Sequence, residues 1–300
     1  MATTQVRTAV ITAAGFGTRF LPISKAVPKE MLPLVDRPVI QYAVEQAVEA
    51  GITRVVLVTS RGKGAMEDYF DRHPELERTL AERKSPKLAD LERVASLAEV
   101  VSVRQQRALG LGHAVLTARA AVGDEPFVVL LPDEILLGSP SPTRQLLDAA
   151  GRLGGSVIGV GQVAREDVSR YGIAAGDPVD ERTLRLGRVV EKPPVDEAPS
   201  DLAIFGPYVF SPAIFDALER ITPGAGGELQ LTDAIALLAE REPVFAHRFD
   251  GRRFDAGTPF GLLTTAVELA LERPDHAPQV RAWISALAAR LAGDAPPPAR

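Results

Sequence analysis

Near the N-terminus four residues have the types and spacing to handle a polyanion: Gly15, Gly17, Arg19 and, in the run Pro28-Lys29-Glu30-Met31-Leu32-Pro33, Lys29. Glycine lets a backbone turn tightly and approach an anion with no Cβ in the way. Successive N–H groups of Ala13-Ala14-Gly15-Phe16-Gly17-Thr18 can therefore face phosphate oxygens. Arg19 and Lys29 add positive charge, and Pro22 and Pro28 stiffen the segment that carries them. Two familiar glycine patterns do not fit. A Walker loop needs G-x-x-x-x-G-K-[ST] and a dinucleotide fingerprint needs G-x-G-x-x-G, but Thr18, Arg19 and Phe20 follow Gly17. A bare G-x-G after a strand also suits a tight turn that binds nothing, and the Arg and the Lys-Glu run are what favour a ligand.

Carboxylates and amides form the second set. Asp133 stands just past the apolar run Phe127-Val128-Val129-Leu130-Leu131, and Asp255 lies between Arg252-Arg253-Phe254 and Ala256-Gly257. An Asp at a strand end either caps the next turn or serves a hard cation such as Mg²⁺, which protein carboxylates share with substrate phosphates. Glu134 beside Asp133 is a further acid within reach of metal-bound water. Glu191-Lys192 follows the strand Gly187-Arg188-Val189-Val190 and precedes Pro193-Pro194. Adjacent residues of an extended chain point to opposite faces, so these two charges are expected to do separate jobs or to be solvated, and not to pair. Gln105 offers one acceptor and two donors, complementary to the edge of uracil or thymine, and Gly110 lets a base approach the backbone. Gly172 is expected to present backbone to a hexose. His113 has no second His or Cys at ligand spacing, which argues against a transition-metal site. Glu228 either faces the site or positions the glycine loop, and Thr232-Asp233 is expected to fix the local helix.

The elements that must hold these residues alternate. A strand over Arg7–Thr12 is followed by a helix from about Val39 to Ala50, closed by Gly51, and then by the strand Val55–Val58. Val100–Val103 and Phe127–Leu131 continue the pattern, which predicts parallel strands with crossover helices in one α/β domain. The charged stretch from about Glu67 to Glu99 reads as exposed helices.

The whole run from Gly15 to Pro38 resembles the signature of the sugar-nucleotide pyrophosphorylases, in the form closest to their bacterial uridylyltransferase members. Further matches follow in order: Gln105 with Gly110-Leu111-Gly112-His113-Ala114, Leu131-Pro132-Asp133, Tyr171-Gly172, Val190-Glu191-Lys192-Pro193, Glu228-Leu229-Gln230-Leu231-Thr232-Asp233 and Phe254-Asp255-Ala256-Gly257. They span about residues 6 to 270. The resemblance implies a single Rossmann-like nucleotidyltransferase domain over 6–270, with a mixed, mostly parallel central sheet and helices on both faces. Its nucleotide-binding part is about 6–135 and its sugar-binding part about 155–260, followed by a C-terminal helical extension over 271–292 and a disordered tail over 293–300.

The chemistry that the resemblance implies is Mg²⁺-dependent transfer of a uridylyl group from UTP to glucose 1-phosphate, giving UDP-glucose and pyrophosphate. Arg19, Lys29 and Lys192 would be catalytic, with Lys192 neutralising the sugar phosphate. Ala13, Ala14, Gly15, Gly17, Thr18, Gln105 and Gly110 would hold the nucleotide. Gly172, Glu191 and Lys192 would hold the sugar, and Asp133 and Asp255 the metal. It also implies a homo-oligomer, dimer or tetramer. The wide apolar surface of Leu262, Leu263, Ala266, Val267, Leu269, Ala270 and Leu271, and the stripe Trp283, Ile284, Leu287 and Leu291, agree with a covered face or with packing on the same domain. One departure stands out: Thr258 follows Gly257, where many bacterial uridylyltransferases have Asn.

Composition bounds the alternatives. A net charge of −5 with both signs interspersed gives no basic face for nucleic acid. Neither an N-terminal leader pattern nor an apolar run of ~20 residues is present, and Cys is absent, so the expectation is a cytoplasmic protein with no membrane partner. Three other readings stay open: a thymidylyltransferase or one using another sugar phosphate, a non-catalytic nucleotide-binding regulatory paralogue, and a nicotinamide-dependent oxidoreductase, which the missing third glycine disfavours.

Overall fold

The first strand shows how the sheet is buried on both sides. In β1 (Thr8–Thr12) Val10 joins one apolar cluster while Ala9 and Ile11 join another, and each is fully buried. Alternate side chains of an apolar strand face opposite sides, so both faces must be covered by helices. The computed structural model, which describes residues 6–293, has this architecture. Beyond Gly293, the expected disordered tail lies outside the described residues.

After β1, a short hairpin pairs β2 (Pro33–Leu34) with β3 (Arg37–Pro38) and leads into α1 (Val39–Glu49). The chain then forms β4 (Arg54–Thr59), α2 (Gly64–Phe70), α3 (Pro74–Glu82), α4 (Lys87–Ala95) and β5 (Glu99–Arg104). Next come α5 (Leu111–Thr117), α6 (Arg119–Val122), β6 (Phe127–Leu130), β7 (Glu134–Leu137) and α7 (Pro142–Leu153). The second half holds β8 (Ser156–Gln162), β9 (Gly172–Pro178), β10 (Thr183–Glu191), β11 (Leu202–Phe210), α8 (Ala213–Leu218), α9 (Leu231–Ala239), β12 (Val244–Arg248) and β13 (Arg252–Asp255). Two helices, α10 (Pro259–Glu272) and α11 (Ala277–Leu291), end the described chain.

Among the described residues, nine strands form one sheet in the order β5-β4-β1-β6-β11-β8-β12-β10-β9. Buried residues of α5, α8 and α9 cover one face, and those of α1, α2 and α7 the other. The α/β class, the mixed sheet and the helices on both faces are as expected. The parallel share is smaller than expected: β5, β4, β1 and β6 run parallel, as do β8 and β12, but β11 and β10 pair antiparallel with their neighbours. The reason is connection length. Helical crossovers join the first four parallel strands, whereas a short turn at Asp180 joins β9 to β10 and can only make a hairpin.

Helix ends follow local chemistry. Ser141 caps α7 by accepting from Arg144 N, Pro142 opens it, and left-handed Gly154 closes it. Thr258 Oγ1 accepts from Gly261 N at 3.0 Å and caps α10, with Pro259 in its first turn. The departure from Asn at this position therefore keeps a capping side chain, because Thr also accepts from an N-terminal amide. The charged helices α2 to α4 lie largely on the surface as expected. None of the helices described is long and apolar enough to cross a membrane.

Candidate active site

Four parallel strands that end together place the first set of residues. Thr12 pairs with Val58, Val58 with Val103, and Ile11 with Leu130, so the C-terminal ends of β1, β4, β5 and β6 share one edge. Open parallel sheets expose functional groups at that edge. Ala13 N donates to Val58 O and Gln105 N to Thr59 O, both at 2.9 Å, while Asp133 follows β6 directly. The glycine loop, Gln105 and Asp133 are thus neighbours although more than a hundred residues separate the first from the last.

Lys29 and Asp133 meet at 2.5 Å. Burial opposes the charge on both, yet each holds the other ionised: Asp133 keeps Lys29 above the ordinary lysine range, and Lys29 keeps the Asp133 carboxyl below the ordinary aspartate range. Arg19 is exposed, and its charge reaches both partners. Gly17 is left-handed at φ 65°, and a Cβ there would stand 3.3 Å from Lys29 Cβ, so the loop folds directly onto the lysine. A Cβ at Gly15 would meet nothing, which leaves open space above that part of the loop.

Asp255 comes to the same place from the other end of the chain. β13 pairs antiparallel with β7, aligning Asp255 with Glu134, and Ala256 N donates to Asp133 O at 2.8 Å. Gly257 sits between the two carboxylates: a Cβ on it would lie 2.8 Å from Asp133 Oδ2 and 2.9 Å from Asp255 Oδ1. Among the described residues no group of three or more His, Cys, Asp or Glu gathers as a metal site. Asp133 Oδ2 is held by Lys29, and Asp255 Oδ1 accepts from Gly257 N at 2.8 Å; carboxylates are the ligand type that a hard cation shares with a phosphate ligand.

Glu134 does not join them. Its two oxygens accept from Arg253 Nε and Nη2 at 2.6 and 2.7 Å, and the Arg253 guanidinium lies 3.9 Å from the Phe205 ring centre. Burial pushes the Glu134 carboxyl up to about 7 against the pull of Arg253. Each Glu134 oxygen thus has a protein partner in Arg253, which the sequence did not foretell.

A cavity of about 230 Å³ adjoins, lined by Glu134, Tyr171, Gly172, Glu191, Lys192 and Thr232 among others. The expectation that Glu191 and Lys192 cannot pair is overturned, since Lys192 Nζ lies 3.2 Å from Glu191 Oε1. Lys192 has φ 43°, so the chain leaves the strand geometry there and alternation no longer separates the two side chains. Thr232, expected to fix its own helix, reaches across the fold: its Oγ1 donates to Glu191 Oε2 at 2.6 Å. A Cβ on Gly172 would press on Thr232 and Glu191, so packing within the protein already disfavours a side chain there.

The third group joins Gln105, Gly110 and His113. Gln105 is buried, and its Nε2 lies 3.1 Å from Gly110 O and 2.9 Å from His113 Nδ1. Gly110 has φ 96°, and a Cβ on it would stand 2.7 Å from Glu228 Cβ. Leu229 N donates to Leu109 O and Gly112 N to Leu229 O, so the segment at Glu228 braces the loop at Gly110 and Gly112.

Sequence reasoning missed Lys63. This residue, in Arg61-Gly62-Lys63 after β4, is buried; its Nζ donates to Ala13 O at 2.6 Å and to both Glu30 oxygens at 2.9 and 2.8 Å. Burial pulls the Lys63 pKa down against Glu30. One cation thereby ties the glycine loop to the segment that carries Lys29. Its position just past a strand end was the available signal. Lys63→Met strands the Glu30 carboxylate, whose side chain is 1% exposed, and is expected to cost about 3–5 kcal/mol of stability. Adding Glu30→Gln should recover much of that loss. Chemical denaturation checks it, and a single variant as stable as the wild type would contradict the pairing.

Known proteins resemble the chain over most of its length. The nucleotidyl transferase family model matches residues 8–272. A UTP–glucose-1-phosphate uridylyltransferase of Bacillus subtilis (strain 168) is 50% identical over 269 residues, covering 89% of this chain and 92% of the relative. A second, from Staphylococcus haemolyticus (strain JCSC1435), is 46% identical over 273 residues, with 90% and 94% covered. Among solved structures, UTP-bound UGPase from Acinetobacter baumannii aligns with a TM-score of 0.84 at 42% identity, over 93% of this chain and 99% of the other. A UDP-glucose pyrophosphorylase complexed with UDP-glucose aligns at 0.82 and 38% identity, over 90% and 100%.

Proposed function

The chain belongs to the nucleotidyl transferase family, and on that premise we propose how its residues carry the reaction. It is a uridylyltransferase that converts UTP and glucose 1-phosphate into UDP-glucose and pyrophosphate. The observation that carries our assignment of the site is the Lys29–Asp133 contact, with Asp255 brought beside Asp133 at the edge where the glycine loop ends.

The nucleophile is a phosphate oxygen of the sugar phosphate, already ionised near neutrality, so the enzyme needs neither a Ser or Cys nucleophile nor a strong general base. That oxygen forms a bond to the α-phosphorus of UTP as the bond from that phosphorus to the bridging oxygen breaks, and pyrophosphate leaves with the electron pair. The obstacle is repulsion between two polyanions. Arg19 and Lys29 face the triphosphate, Lys192 the sugar phosphate, and all three offset charge that builds at the transition state. Gly15, Gly17 and Thr18 hold phosphates through their backbone, while Ala13, Ala14, Gln105 and Gly110 hold the base. Gly172 and Glu191 orient the hexose, with Thr232 fixing the Glu191 carboxylate.

Asp133 and Asp255 would hold Mg²⁺, which when bound neutralises phosphate charge. UDP-glucose formation, followed by chromatography with UTP, glucose 1-phosphate and Mg²⁺, is expected to stop on adding chelator and to resume with excess Mg²⁺. Undiminished turnover in chelator would remove the metal from the account. Lys192→Ala is expected to raise KM for glucose 1-phosphate at least about tenfold and leave that for UTP nearly unchanged. An effect confined to UTP would reverse the division of labour.

A soluble cytoplasmic location fits these substrates. We also propose that the chain forms a homo-oligomer, with 271–292 as a C-terminal extension of one domain. α11 packs on α10 but buries none of its residues; Leu263 is 60% and Trp283 54% exposed. Light scattering should give a dimer or tetramer for the full chain and a smaller species for one ending before Arg273. A monodisperse full-length monomer at micromolar concentration would refute this assembly.

A further inference from the structure

His113 has no part in the phosphate chemistry, yet it touches the residue assigned to read the base. The Gly110 carbonyl can only accept, so the Gln105 atom 3.1 Å from it is the amide nitrogen, not the amide oxygen. The second proton on that nitrogen points to His113 Nδ1 at 2.9 Å, and Nδ1 must therefore carry a lone pair. Burial lowers the His113 pKa, which keeps the ring neutral and the lone pair available at neutral pH. Both Gln105 donors are then spent inside the protein. Gln105 Oε1 accepts from no described residue and is not among the buried atoms lacking a partner, so it opens onto solvent-reached space.

We propose that His113 is a positioning residue for base choice: with Gly110 it turns the Gln105 amide so that only its oxygen, an acceptor, meets the base. An acceptor there suits the N3–H of a uracil-type ring. It opposes cytosine, whose N3 carries a lone pair, because two acceptors in contact repel and leave both unpaired. The device rejects cytidine triphosphate and is blind to thymine, which shares the N3–H. It rests on the placement of the base at Gln105 proposed above.

The test uses direct binding of UTP and of CTP by calorimetry to the full chain and two variants. His113→Leu removes the lone pair and frees one amide proton to turn outward. His113→Asn can place its Oδ1 where Nδ1 stands, because both atoms are bonded to Cγ, and restores the acceptor. The wild type is expected to prefer UTP, His113→Leu to lose about three- to tenfold of that preference, and His113→Asn to keep it. Loss of packing alone would weaken both nucleotides alike and leave the ratio unmoved. An unchanged ratio in His113→Leu, an equal loss in both variants, or no wild-type preference for UTP would overturn the proposal. Turnover with UTP and glucose 1-phosphate, measured on the same wild-type sample, tests the reaction separately: a shift in binding preference without product formation would overturn the reaction and leave the role of His113 standing.

Discussion

Asp133→Asn is expected to lower turnover by roughly 10²–10³-fold while the protein stays folded. The substitution removes a negative charge and leaves a weaker, neutral oxygen in the place of the proposed hard-cation ligand. It also breaks the match with Lys29, whose ammonium lies 2.5 Å from the Asp133 carboxylate. The fold should survive, because the Asp133 side chain is part-exposed and the contact with β13 runs through its backbone, Ala256 N donating to Asp133 O. Steady-state assays at limiting and saturating Mg²⁺, with circular dichroism as the check on folding, measure it. A folded variant with near wild-type turnover at limiting Mg²⁺ would remove Asp133 from the metal site.

Lys29→Ala is expected to be of similar size, about 10²–10³-fold in kcat. Its ammonium is held by Asp133 while its Cβ and Cγ lie against Gly17, so in the proposed site it is pre-set where triphosphate charge gathers. The loss should fall on kcat more than on the KM for UTP, since the charge matters most in the transition state. Initial rates with UTP varied at fixed glucose 1-phosphate separate the two. A pure KM effect would make Lys29 a binding residue and shift the catalytic burden to Arg19.

Much of the site was legible because it is local. The loop at Gly15 and Gly17 follows its strand at once, and Gln105 and Asp133 each stand just past an apolar run, so strand ends alone brought them to one edge. What stayed hidden depended on partners far away in the chain. Lys63 and Glu30 look like ordinary surface charges until folding buries them against each other. Glu134 met Arg253 only through the pairing of β7 with β13. Alternation misled at Lys192, because nothing in its neighbours announces a left-handed backbone. Gly110 and Gly172 were read as glycines that leave space for a ligand, but the groups that a side chain would strike there belong to Glu228 and Thr232, which a one-dimensional reading could not place. The antiparallel share of the second half was missed for the same reason: apolar runs reveal strands, not the direction in which neighbours pair.

Pyrophosphate release, measured with each of the common nucleoside triphosphates against a panel of sugar 1-phosphates in the presence of Mg²⁺, tests the central claim most directly. The largest kcat/KM is expected for UTP with glucose 1-phosphate, and exchange of labelled pyrophosphate into UTP should occur from UDP-glucose. Preference for deoxythymidine triphosphate, for another hexose phosphate, or no release with any pair would contradict it.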